Sequence, residues 1–136
     1  MTTELARALV RSPWWRWSAG VLCEDGARVV ATVSDGAHGL RVLIDGPSRR
    51  FVPAQHVPLP CLADAFTLGY IEDRMRDAWV GARIEINTDP WRDEPTAEVR
   101  ICPAPGVPCR SFFGRGPLAR AHAIVSALLA APEDSP

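Results

Sequence analysis

Four cysteines and three histidines are the side chains of this chain best suited to metal or nucleophilic chemistry, and their spacing limits what they can do. A zinc site calls for C-x2-4-C or a paired histidine motif, and Cys23, Cys61, Cys102 and Cys109 supply neither. His56 and Cys61 share a proline-rich connector where a thiol–imidazole pair is conceivable, but no third group is in view to orient the imidazole. His122 falls beside the apolar stripe of a C-terminal helix, a position that suits a half-buried core histidine better than a base. His38 falls in a turn. Cys102 and Cys109 bracket the loop 103–108 and could meet across it, yet the absence of a signal sequence predicts a reducing compartment and free thiols. Glycine-rich phosphate loops, the G-x-S-x-G elbow and H-E-x-x-H are all missing. The chain is accordingly read with no catalytic residue, no metal and no cofactor.

Residues suited to binding are better represented. Trp14-Trp15-Arg16-Trp17 places three tryptophans within four positions. Successive side chains of a strand point to opposite faces, so Trp15 and Trp17 would share the core face while Trp14 and Arg16 face away. Exposed Trp and Arg are the types enriched at binding hot spots, and single-stranded nucleic acid could also stack there. The plainer outcome is that the N-terminal helix covers this second face. Arg110-Ser111-Phe112-Phe113-Gly114-Arg115 leads into a helix N-terminus, whose amides attract anions. Arg110, Phe112 and Arg115 are its candidate contacts, against an edge strand with Phe112 or Phe113 in the core. Residues 61–98 carry nine acids against four arginines. Asp64, Glu72, Asp73 and Asp77 there form a candidate acidic patch for a basic partner surface, or simply a solvated helix face.

The elements that must position these groups follow from periodicity. Residues 3–11 read as a short helix capped by Thr2 or Thr3 and closed by Pro13. Strands are expected at 15–18 and 21–23, then at 28–33 after the Asp25-Gly26 turn, at 40–44 and near 50–52. Residues 53–61, with three prolines, form an extended connector and the one internal sub-boundary. The clearest helix spans 64–80, with Asp64 as N-cap, Leu68, Ile71, Met75 and Ala78 on one face, and Gly81 at its end. Strands at 83–88, 96–101 and 110–113 precede a last helix that begins at Gly116-Pro117. Leu118, Ala121, Val125, Leu128 and Leu129 would form its core stripe. Strands in runs rather than in alternation with helices predict an α+β fold, with antiparallel meanders packed on a central and a C-terminal helix.

The chain is 136 residues long, 47% apolar, with a formal charge of −1. That length fits one domain over 1–136, and near-zero charge speaks against bulk attraction to nucleic acid. No apolar run reaches the roughly 18–20 residues that span a bilayer, so neither a membrane helix nor a membrane partner is expected. Fifteen Arg without Lys, beside 19 Ala and 13 Pro, point to a GC-rich genome.

Trp15-Arg16-Trp17-Ser18-Ala19-Gly20, the strand Arg41-Val42-Leu43-Ile44, Leu59-Pro60-Cys61-Leu62-Ala63-Asp64-Ala65 and the ending Ala127-Leu128-Leu129-Ala130-Ala131-Pro132 together resemble small proteins encoded by phages and prophages of GC-rich bacteria. Position 61 departs from that group, which carries an acid there. The resemblance implies a small non-enzymatic binder of a host protein in the bacterial cytoplasm, in the manner of an anti-defence (anti-CRISPR-like) inhibitor. The alternatives are a single-stranded nucleic-acid binder using the Trp/Arg surface, and a small enzyme on the Cys61/His56 connector. A dimer is compatible with the sequence, which leaves the oligomeric state open.

Overall fold

Two three-stranded antiparallel meanders account for all the named strands. The first joins β1 (Arg28–Asp35), β2 (Gly39–Asp45) and β3 (Arg49–Pro53) in that order, and the second joins β4 (Arg83–Asp89), β5 (Thr96–Cys102) and β6 (Arg110–Arg115). Three α-helices stand beside them among the described residues: α1 (Thr2–Arg11), α2 (Ala65–Ala78) and α3 (Ala119–Leu129). The α+β class with terminal and central helices is therefore as predicted. A computed structural model describes residues 2–36, 39–89, 91 and 93–132. His38 lies outside the described residues.

A single cluster of buried side chains runs through both halves, from Val29, Val42 and Ile44 of the first sheet to Val99 and Ile101 of the second. α3 contacts α1, α2, β5 and β6. Its alanines make this close packing feasible: Ala119, Ala121, Ala123 and Ala127 are buried together with Ile124, Val125 and Leu128. Gly114 of β6 is needed for the same reason, since a Cβ there would collide with the Ala119 carbonyl. The helix begins at Ala119, slightly later than predicted, and Leu118 precedes it without a side-chain cap. Leu129, assigned to the core stripe, is instead 37% exposed, and Ile124 takes its place inside.

α2 follows its sequence closely. Asp64 caps it by accepting the Thr67 N–H at 2.9 Å, and Glu72 and Arg76 pair at 3.3 Å. Thr67 is the buried residue that the apolar pattern misses: its hydroxyl donates to Asp64 and accepts the Leu22 N–H at 2.8 Å. At the other end, the Trp79 indole donates to the Ala127 carbonyl at 2.8 Å, tying α2 to α3.

Three local expectations need correction. α1 already starts at Thr2, so Thr3 is not its cap. Residues 15–18 form no strand, and 21–23 contribute only isolated bridges, Leu22 to Arg28 and Cys23 to Pro60. The physical reason is that α2 takes up the backbone acceptors of this loop: Arg74 donates to the Trp14 carbonyl at 2.9 Å and the Tyr70 hydroxyl to the Arg16 carbonyl at 2.7 Å. Finally, Cys102 and Cys109 are joined in a disulfide, because the antiparallel pairing of β5 with β6 brings the loop ends to a Cα separation of 4.2 Å. Cys23 and Cys61 remain free thiols.

Candidate functional site

The second sheet has one face on α3 and one face open. Ala97, Val99 and Ile101 of β5 are buried, which sets Thr96, Glu98 and Arg100 on the opposite side. Register completes the rows of that outer face: Asp89–Thr96–Arg115, Asn87–Glu98–Phe113 and Glu85–Arg100–Ser111. The grid is polar except for Phe113, which is 68% exposed. Beyond the first row the β4–β5 turn carries Trp91, held by a backbone N–H to Asp89 Oδ1 bond of 3.2 Å and left 93% exposed. An open groove of about 410 Å³ runs past Asn87, Glu98 and Phe113 to Arg115. A second, of about 630 Å³, lies among Trp91, Asp93, Glu94, Thr96 and Arg115. Two exposed aromatic rings at one sheet end, with an arginine between carboxylates, form a surface of hot-spot composition.

The structure redistributes the residues singled out from the sequence. Trp14 is half-buried against the core rather than exposed. Arg16 is exposed, with Nη1 donating to the Pro13 and Trp15 carbonyls at 2.9 and 2.8 Å. Phe112 also packs on the core, 6.4 Å from the Trp79 ring. Period-two alternation explains this, because Phe112 must lie on the same face as Gly114, under α3, and that leaves Phe113 outside. Arg110 lies over Trp79 and Phe112, 5.8 and 5.2 Å from the ring centroids, an attractive arrangement for a cation. Arg110 and Arg115 end the same strand, about 17 Å apart by strand rise, so they do not form one patch. The anion cradle expected after Arg115 is also partly used up: the Gly116 N–H bonds Pro95 O at 2.8 Å and the Ala119 N–H bonds Gly116 O at 3.0 Å.

Half of the acidic patch is neutralised internally. Asp64 lies 3.5 Å from the Arg28 guanidinium. Burial alone would raise its carboxyl, but the Thr67 N–H and hydroxyl together with Arg28 outweigh it and hold the carboxyl below the usual range. Glu72 pairs with both Arg76 and Arg120. Asp73 and Asp77 stay exposed, with no ion pair among the described residues.

The conceivable thiol site is not assembled. His56 is exposed on a 3-10 turn (Ala54–His56), Cys61 is half-buried, and no hydrogen bond joins them among the described residues. Burial, with Asp25 nearby, pushes the Cys23 thiol up to about 11, so it stays protonated at neutral pH. Among the described residues no three His, Cys, Asp or Glu side chains lie together so as to hold a metal, and no helix is long and apolar enough to cross a membrane.

Sequence reasoning passed over Trp91 and offered Phe113 only as a core alternative to Phe112. The available signal was a tryptophan in a short polar turn between two paired strands, which leaves the ring no core to fold back on. Comparison with known proteins yields no match among family models, curated proteins or solved structures.

Proposed function

We propose that this chain is a small protein-binding module whose recognition surface is the Trp91 end of the second sheet. The carrying observation is the exposure of Trp91 and Phe113 on either side of Arg115. A ring that gains nothing from the core is free to bury its whole apolar area against a partner. Single-stranded nucleic acid would need stacking faces beside cations. Among the described residues that line the two grooves, Arg115 is the one cation, set among Asp89, Asp93, Glu94 and Glu98, which favours a protein. The resemblance to phage and prophage proteins supports a host protein as that partner, and inhibition of a defence system is the role consistent with it.

The test is parallel capture from a lysate of a GC-rich host bacterium with wild-type chain and with Trp91→Ala/Phe113→Ser. Hot-spot truncation costs at least about 2 kcal/mol, roughly a thirtyfold loss of affinity. A protein retained by the wild type and lost by the variant, with the melting temperature unchanged, supports the reading. Equal retention, or recovery of nucleic acid in place of a protein, overturns it.

A further inference from the structure

A second concave surface lies in the other half of the molecule. Between α1, the loop Trp14–Ser18 and the 3-10 turn runs a groove of about 610 Å³, within the range of roughly 300–1,000 Å³ usual for small-ligand sites. Trp15, Trp17 and Val57 form its floor, each buried. Arg7, Arg11 and Arg16 line it from the side of α1 and the loop, and none of the described lining residues carries a carboxylate. The side supplied by Leu40, Ala54, Gln55, Val57 and Leu59 carries no ionisable side chain.

Two features make this more than a solvated basic surface. Arg7 and Arg11 are one helical turn apart, both exposed, and neither has an ion pair among the described residues. Arg16 is fixed by its two carbonyl contacts, so the third guanidinium is already positioned. Like charges gathered on one side repel, and guanidinium forks match carboxylate and phosphate oxygens in pairs.

We propose that this groove binds a small amphipathic anion, its carboxylate or phosphate head held by Arg7, Arg11 and Arg16 and its apolar body laid over Trp15 and Val57. The probe is 1-anilinonaphthalene-8-sulfonate, titrated into the full chain beside N-phenyl-1-naphthylamine, the same ring system without the anion. The expected result is saturable binding of one sulfonate dye per chain, at least tenfold tighter than the neutral dye. Arg7→Gln/Arg11→Gln should weaken the sulfonate dye at least tenfold and leave the neutral dye unchanged. Arg50→Gln, outside the groove, should change neither. Should the double variant melt early, Arg7→Gln alone must still weaken the sulfonate dye at least threefold. Displacement by decanoate supports an acyl carboxylate as the ligand class, and displacement by AMP supports a phosphate. Equal affinity for the two dyes, no loss in the arginine variants, or displacement by neither anion would overturn the site.

Discussion

The tryptophans of the N-terminal loop and the tryptophan of the β4–β5 turn have opposite fates, although both stand in short segments outside regular structure. Trp15 and Trp17 are 5% and 8% exposed, packed edge to face at 5.1 Å, with Tyr70 against Trp15 at 5.8 Å. Trp91 touches almost nothing. The difference comes from the neighbours: α2 reaches the first loop with Tyr70 and Arg74 and fixes its backbone, whereas the Trp91 turn projects past the end of its sheet. Where a helix is at hand to satisfy a loop's carbonyls, the loop becomes core. Where none is, an aromatic residue stays at the surface, available to something else.

That contrast should be largest in stability. Trp15→Ala is expected to lose about 3–5 kcal/mol in urea unfolding, the usual penalty for emptying a buried aromatic site. An effect below about 1 kcal/mol would mean that the loop is not core. The Cys102–Cys109 link belongs to the second sheet and should matter less. Closing so short a loop contributes about 2–3 kcal/mol, so Cys102→Ser/Cys109→Ser should lower the unfolding free energy by that amount under oxidising conditions and by nothing in excess reductant. Asp64→Ala, which removes the cap that anchors α2 beneath the first loop, should lose about 1 kcal/mol at neutral pH. Because the native carboxyl lies below its unfolded value, its contribution is complete above roughly pH 4 and fades as pH falls through the native value. Denaturation curves of wild type and variant should therefore converge in acid, and a constant gap would sink the assignment. Smallest of all, Trp91→Ala/Phe113→Ser should stay within about 0.5 kcal/mol of wild type, even as it abolishes capture of the partner.

The fold was largely legible because the turn-bounded apolar runs of 28–33 and 40–44, the alternation in 83–88 and 96–101 and the capped 3.6-residue period of 64–80 are local signals that tertiary structure did not override. The Trp15-Arg16-Trp17 alternation was equally clean and misleading, since whether such a segment pairs as a strand depends on partners over fifty residues away, Tyr70 and Arg74. Burial of Trp15 and Trp17 survived that error because both ended on the core side. The candidate surface was legible in type but not in place. Aromatic and arginine residues were sought where they were densest, yet density drew them into mutual packing, while the isolated Trp91 stayed outside. The disulfide was undecidable from spacing alone, for it follows from the register of β5 with β6.

The position of α3 in the chain has a kinetic consequence. It is the element shared by α1, α2 and the second sheet, and it leaves the ribosome after all of them. The second half of the nascent chain cannot close its interior until those last alanines have emerged, so synthesis intermediates lacking α3 should be degraded by proteases throughout that half rather than at a single exposed site.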